Sequence, residues 1–178
     1  MDTNLFSAAT LRNELTTQGF LELPDFFTTD QFALFHHSIH EAKETPSFSL
    51  GLHAYTLLAI PKPITSFLHS PGFQSLLTSL TKNPVSLHPL LLRFTKGDYT
   101  LLHDTSLPGP FTGILDFSDT WKEAFGGYIS FICNNTELFR KMPRKNSLFL
   151  FSLPENTRFF VKYINSLAKD KEACFLFF

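Results

Sequence analysis

Residues 146–164 read NSLFLFSLPENTRFFVKYI. Two short runs of Phe, Leu and Val are separated there by turn-forming residues, a pattern typical of two strands with a short connection. Together with these two, the sequence after Pro84 contains seven runs of this kind: 86–97, 98–104, 111–118, 126–135, 146–153, 157–165 and 172–178. Such a series of short strands predicts a β-sandwich or barrel.

The sequence before Pro84 has helical periodicity instead. Thr28, Thr29 and Asp30 are helix-start residues, and the apolar positions that follow share one face: Phe32, Phe35, Ile39 and Ala42. A second helix is predicted over residues 70–83, with Ser70 as its N-cap, and a strand is predicted from Ala54 to Ala59. We therefore expect one domain over residues 1–178, with a helical part over about 1–83 packed outside an antiparallel double sheet over about 84–178.

Composition limits the class of protein. The chain has 178 residues, of which 43% are hydrophobic and 17% charged, which is enough for one globular core. The net charge of −1 gives no global argument for nucleic acid or an anionic membrane as partner. No apolar run is long enough to span a bilayer, and Asp2, Arg12 and Glu14 interrupt any signal-peptide pattern. We expect a soluble protein in the cytoplasm or another intracellular compartment.

Several side chains could carry chemistry, but each has an ordinary structural explanation. Cys133 and Cys174 lie in strand-like runs and are expected as buried thiols, since two cysteines form no disulfide framework. His36 and His40 are spaced to share a metal on a helix, although a solvated pair is the commoner case. The basic cluster of Arg140, Lys141, Arg144 and Lys145 could bind an anion, but a solvated loop is favoured. The 22 Phe residues are expected to fill the core.

A more specific signal is the order of several motifs in the second half. Gly97-Asp98 precedes His103; Trp121 precedes Gly126-Gly127; an Asn-x-Leu-x-x-Phe run begins at Asn146; and an apolar strand follows Lys171 and ends with Phe178. This order resembles the iron(II) and 2-oxoglutarate dioxygenases of the prolyl 4-hydroxylase type, closest to the branch that hydroxylates a ribosomal-protein proline. The segment GFLELPDFFTTDQFALF also resembles the start of that family's domain. The resemblance implies a double-stranded β-helix, or jelly-roll, flanked by helices.

The resemblance also implies an iron site, at which this sequence departs from the family. His103 matches the first imidazole ligand, but the carboxylate two residues later is replaced by Thr105, a poor iron ligand. Asp104 should point to the opposite face of the strand from His103, unless a bulge turns it inward. The second imidazole position falls on Phe159, and no His follows His103 in the chain. The upstream residues His53, His69 and His88 are the remaining candidates for a substitute ligand.

The co-substrate end departs less from the family. The family's Arg falls on Lys171, which can still pair with a carboxylate but lacks the planar donor geometry of Arg. Tyr99 lies in the strand before His103, where its hydroxyl could contact a bound acid. Phe94 replaces another tyrosine of many relatives. Tyr99 and Lys171 are therefore candidates for a 2-oxoglutarate or anion pocket.

These departures predict a dioxygenase-like protein that has lost iron binding and hydroxylation, so that no cofactor is expected. The mouth of the barrel, lined by Tyr99, His103, Thr105, Phe159 and Lys171, would then bind a protein partner or a small ligand. The alternative is an active iron(II) and 2-oxoglutarate dioxygenase with non-standard ligands. A third possibility is an assembly protein whose Phe-rich sheet packs on a partner.

Overall fold

The fold is described from a computed structural model, which describes residues 8–50, 52–82, 87–101, 113–154 and 156–178. The N-terminal part contains four helices and three strands, in the order α1 (Ala8–Gln18), β1 (Phe20–Pro24), α2 (Thr29–His40), β2 (Glu44–Ser49), β3 (His53–Leu58), α3 (Lys62–Leu68) and α4 (Pro71–Thr81). The remaining strands are β4 (Leu90–Phe94), β5 (Tyr99–Thr100), β6 (Gly113–Asp116), β7 (Ile129–Cys133), β8 (Thr136–Lys141), β9 (Ser147–Phe151), β10 (Arg158–Val161) and β11 (Ala173–Phe177).

The strands form two antiparallel sheets. The larger has eight strands in the order β1-β9-β6-β11-β4-β3-β2, with β5 paired to β3, and the smaller has the order β10-β7-β8. β5 also borders β10, because the Val161 N–H donates to Thr100 Oγ1 at 2.8 Å. In the second half, β6, β9 and β11 of the larger sheet face β7, β8 and β10 of the smaller one across a shared core, which is the double-stranded β-helix expected from the sequence.

The predicted helices are confirmed, with their caps. Thr28 forms a capping box with Gln31, and α2 buries Phe32, Phe35 and Ile39. Ser70 accepts the Phe73 N–H at the start of α4. The part before Pro84 is not purely helical, however, since β1, β2 and β3 extend the larger sheet.

Two apolar cores lie on the two faces of the larger sheet. One is formed with the helices, and the other lies between the sheets. β11 serves both cores: Cys174 and Leu176 belong to the helix side, whereas Phe175 and Phe177 belong to the space between the sheets. A strand buried on both faces has a continuous apolar sequence, which explains the run ACFLFF.

No helix in the described parts of the chain is long and apolar enough to cross a membrane. Both cysteines are buried free thiols, as expected. Burial raises the pKa of the Cys174 thiol well above its usual range, which keeps it protonated and unreactive.

Candidate functional site

Aromatic rings fill the space between the two sheets. Phe159, on β10, is 7% exposed and lies 6.2 Å from Phe131 and 5.7 Å from Phe177, measured between ring centroids. The same core contains further Phe rings from the larger sheet: Phe94, Phe149, Phe151 and Phe175. Phe159, at the position that the resemblance assigns to the second imidazole, is therefore part of a packed apolar interior.

The Gly97-Asp98 motif forms a turn between β4 and β5. Gly97 has a φ of +100°, and the Asp98 carboxylate accepts hydrogen bonds from the N–H and the hydroxyl of Thr95 at 2.8 and 3.1 Å. Two backbone hydrogen bonds join this turn to Ile164 after β10, from Gly97 N–H to Ile164 O and from Ile164 N–H to Asp98 O. The Gly97-Asp98 motif thus connects the turn after β4 to the segment after β10.

The Trp121 loop and the two glycines that follow it also have a structural role. The Trp121 indole donates to the Gly126 carbonyl at 2.8 Å. Gly126 has a φ of +79°, and a Cβ there would lie 2.1 Å from the carbonyl oxygen of Tyr163. Gly127 has a φ of +70°, and a Cβ there would lie 2.8 Å from the Trp121 ring. Only glycine allows this approach, so both positions are required by the fold.

Asn146 fixes the start of β9 against the loop after β1. It has a φ of +57°, and its side chain pairs with the backbone of Phe27, accepting from the N–H at 2.8 Å and donating to the carbonyl at 2.9 Å. A short amide side chain tolerates this left-handed conformation. The Asn-x-Leu-x-x-Phe motif therefore also has a structural role.

The two candidate anion-binding residues lie in different surroundings. Tyr99 is half-buried, and its ring centroid lies 6.4 Å from that of Tyr163. Lys171 is exposed two residues before β11 and lines a surface cleft of about 590 Å³ together with Lys122 and Lys169. Within the described residues, no hydrogen bond joins Tyr99 to Lys171.

Tyr55 is a residue of the barrel interior that was not predicted. Tyr55, on β3, packs against the core between the sheets, and its ring centroid lies 5.8 Å from that of Phe94. The signal was present, because Tyr55 lies on the predicted strand from Ala54 to Ala59. Its orientation could not be predicted without knowing that β3 pairs with β4.

The histidines of the described segments do not assemble a metal site. His53 Nε2 lies 2.9 Å from Ser47 Oγ, and its ring stacks on Tyr55. His69 is an exposed residue between α3 and α4, and His88 is an exposed residue before β4. His103, Asp104 and Thr105 lie outside the described residues.

His36 and His40 are close to each other on α2, with ring centroids 4.5 Å apart. Burial, followed by the neighbouring His40, lowers the pKa of His36, which favours the neutral form of its imidazole. The part of the chain that the structure describes contains no group of three or more His, Cys, Asp or Glu residues that could hold a metal ion.

One residue of the basic cluster departs from the solvated loop that we expected, since Arg140, Arg144 and Lys145 are exposed but Lys141 is not. Lys141, at the end of β8, is 1% exposed, and its ammonium group donates to Asp116 Oδ2 at 2.8 Å and to the Met142 carbonyl at 2.6 Å. It also lies 3.0 Å from Glu22 Oε1. Arg140 instead pairs with Glu137 at the surface and lowers the pKa of that carboxyl. The expectation was wrong for Lys141 because β8 continues to this residue and carries its side chain inward.

The described residues do not fit an iron centre. Iron of this family requires two imidazoles and a carboxylate on one face of the metal. Phe159 supplies no donor atom, and its ring occupies space within the apolar core. These side chains therefore support no reaction step on iron.

The fold and its retained motifs define the class of 2-oxoglutarate oxygenase-like jelly-roll proteins. The family model described as "Oxoglutarate and iron-dependent oxygenase degradation C-term" matches residues 54–175, and the chain belongs to this family. No curated protein sequence matches the chain.

Solved structures of oxygenases share the fold at low identity. A Pseudomonas putida prolyl-4-hydroxylase has a TM-score of 0.68 and 12% identity over 96% of this chain and 97% of that one. A 2OG-Fe(II) oxygenase family protein from Burkholderia pseudomallei has a TM-score of 0.75 and 13% identity over 99% and 92%. A Trichoplax adhaerens prolyl hydroxylase, in complex with a hypoxia inducible factor peptide fragment, has a TM-score of 0.68 and 13% identity over 96% and 87%. These similarities support the fold alone.

Proposed function

We propose that this protein has lost iron binding and hydroxylation and acts as a binding or interaction module on an oxygenase fold. The observation that carries the proposal is the position of Phe159, which packs between Phe131 and Phe177 at the place that the resemblance assigns to the second imidazole. An apolar ring in a metal-free interior avoids an unpaired buried polar group, which is costly.

The retained motifs support the same proposal. Gly97-Asp98, Gly126-Gly127 and Asn146 all make contacts that the fold requires. The positions that the resemblance assigns to ligands are the ones that have changed, at Thr105 and Phe159. Loss of a metal site with retention of its scaffold is the pattern expected of a protein that keeps the fold for binding.

A protein or small-ligand partner of this module would meet the chain near Tyr99 and Lys171. Phe159 is too buried to take part in such a contact. Because Tyr99 and Lys171 lie in different surroundings, we treat them as two candidate regions of contact.

The experiment that tests the proposal is an anaerobic titration of the purified protein with iron(II), with and without 2-oxoglutarate, followed by calorimetry and by metal analysis. We expect no stoichiometric uptake in either condition. Stoichiometric binding that a His103→Ala variant abolishes would overturn the proposal and favour an active dioxygenase with a non-standard ligand set, of which Asp104 would be the first residue to test.

A further inference from the structure

The turn end of the β2–β3 hairpin and the neighbouring β5 carry a cluster of exposed apolar side chains. Five of the nine large apolar side chains that are exposed in the described residues lie here, and each is between 43% and 87% exposed: Phe48, Leu50, Leu52, Leu101 and Tyr163. Single exposed apolar residues are ordinary, whereas a contiguous group of them marks an interaction site.

The strand register places most of these side chains on one face of the larger sheet. Phe48 is opposite Ala54 on β3, and Ala54 is opposite Tyr99 on β5, so these three side chains point to the same side. Leu52 and Leu101 lie two residues farther toward the hairpin turn, and the Leu101 N–H donates to the Leu52 carbonyl at 2.9 Å. The apolar side chains of the three strands are therefore neighbours.

Two further residues extend this surface. The ring centroid of Tyr163 lies 6.4 Å from that of Tyr99. Leu50 follows β2 at the hairpin turn and has the largest exposed fraction of the group. We call this surface the hairpin face, and it consists of Phe48, Leu50, Leu52, Tyr99, Leu101 and Tyr163.

The helices leave the hairpin face uncovered. Of the residues in β2 and β3, the helix-side core includes only Leu58, which lies at the opposite end of the hairpin from the turn. Glu44 at that end of β2 is paired with Arg93, so the two charges at this border neutralise each other. No side chain of the hairpin face is charged. A complementary partner is therefore also apolar and uncharged where it meets this face.

The area of the hairpin face suits the apolar centre of a dimer interface. The exposed fractions of its five exposed side chains amount to about three whole side chains. At about 150 Å² for a large side chain, this is roughly 450 Å² of apolar surface. A stable interface buries about 800 Å² per copy, and about 65% of a homodimer interface is apolar. The hairpin face thus supplies most of the apolar area that a dimer needs.

A second copy of the chain offers a surface of the required kind. A two-fold axis places the same patch on both sides of an interface, and an uncharged patch meets its own copy without like-charge repulsion. Pro46 on β2 lacks the N–H with which another chain could pair at the sheet edge. Contact through the side chains of the hairpin face is therefore favoured over extension of the sheet.

We propose that the hairpin face is the interface of a two-fold homodimer, so that the partner in the Tyr99 region is a second copy of this chain. This inference deepens the proposed function and rests on it, because it names a partner of the interaction module. Phe48 and Leu50, which are the most exposed of the six side chains, contribute most to the contact.

Sedimentation equilibrium of the full chain in EDTA, from low to high micromolar concentration, tests this inference. We expect the average mass to rise from one chain to two with concentration. Phe48→Glu and Leu50→Glu should each raise the dissociation constant of the dimer at least about tenfold, because each removes an apolar contact and places like charges at the interface. Far-UV circular dichroism verifies that both variants fold.

Leu34→Glu is the matched control, since Leu34 is 53% exposed on α2 and lies outside the hairpin face. It should dimerise as the native protein does. The mass of a single chain at every concentration would overturn the second copy as partner, and open-ended assemblies would overturn the two-fold symmetry. Undiminished dimerisation of Phe48→Glu and Leu50→Glu would overturn the location. Because EDTA excludes iron, failure here is distinct from iron uptake in the test of the proposed function.

Discussion

Phe159 can be tested by restoring the residue type that the resemblance assigns to its position. We expect Phe159→His to lower the free energy of unfolding by about 2–4 kcal/mol, because an imidazole replaces a ring packed against Phe131 and Phe177 and has no polar partner there. Urea denaturation measures the change. Phe160→His is the control, since Phe160 follows on the same strand and is only half-buried. Equal stability of Phe159→His and the native protein would contradict the packing argument.

His36 provides a pH dependence whose sign follows from its surroundings. Burial and His40, with a smaller effect of Lys145, lower its pKa from the usual 6.5, while Asp119 opposes them. The unfolded chain therefore binds a proton more readily than the folded chain, and the free energy of unfolding falls as the pH drops below about 6.5. His36→Gln should make thermal stability less sensitive to pH in this range.

The control for this prediction is His37→Gln, because His37 is exposed and next to His36. It should keep the pH dependence of the native protein. If stability fell equally steeply with pH in His36→Gln, the dependence would belong to another group.

Single residues show where sequence reasoning is strong and where it fails. The N-caps Thr28 and Ser70 could be predicted because capping depends on residues a few positions apart. The burial of Lys141 could not, because its partners Asp116 and Glu22 come from distant strands. Charge in the sequence indicates exposure on average, but tertiary partners decide each case.

At the scale of elements, β2 is one of the two edge strands of the larger sheet, and among the described strands it pairs only with β3. The Ala59 N–H donates to the Lys43 carbonyl at 2.9 Å, so these two residues form a hydrogen-bonded pair. Hydrogen-bonded and non-hydrogen-bonded residue pairs alternate along an antiparallel ladder. Pro46 and the opposite residue Thr56 therefore form a non-hydrogen-bonded pair, and the backbone nitrogen of Pro46 is directed away from β3. Proline lacks an N–H and thereby interrupts the edge that another chain could pair with.

Pro46→Val should therefore promote self-association, because it restores a donor to the edge of β2. Analytical ultracentrifugation over a range of concentrations measures this. Ser47→Val is the control, since the register places the backbone groups of Ser47 toward Tyr55 on β3. If Pro46→Val sedimented in the same way as Ser47→Val at every concentration, the proline would have no protective role.

Lys141 joins three strands through its contacts with Asp116 on β6 and Glu22 on β1. We expect Lys141→Met to lower the free energy of unfolding by about 3–5 kcal/mol, because Asp116 would keep a buried charge without its partner. Chemical denaturation measures the loss. Arg140→Met removes a surface pair on the same strand and should change stability little. Similar losses in both variants would show that burial of the pair is not the cause.

Helices and strands with a clear apolar pattern could be predicted from the sequence, and those without one could not. β9 and β11 have continuous apolar runs and were identified. β2, with the sequence ETPSFS, is mostly exposed at the edge of the sheet and lacks such a pattern. In α1, Leu15 is the one buried residue. Elements at the periphery bury too little apolar surface to be recognised from periodicity.

At the scale of the whole molecule, the order of motifs identified the fold because each motif fixes a turn or a strand start. Gly97-Asp98 and Gly126-Gly127 are examples, since both are held by backbone contacts to the segment after β10. The position of Lys171 relative to Tyr99 could not be predicted, because it depends on the path of the turn before β11. Motifs that build the scaffold are local, whereas a ligand site combines residues from separate segments.

The same separation of scaffold from site predicts how the whole protein responds to metal. A ligand that binds only the folded state at a hundred times its dissociation constant stabilises it by about 2.7 kcal/mol. The aromatic interior around Phe159 offers no ligand at the position that the resemblance assigns to an iron ligand, so metal should add nothing to folding stability. We therefore expect the same unfolding midpoint in EDTA and in excess manganese(II) without oxygen. A midpoint raised by manganese in the native protein and in His36→Gln, but not in His103→Ala, would instead place a metal at His103 and restore the oxygenase hypothesis.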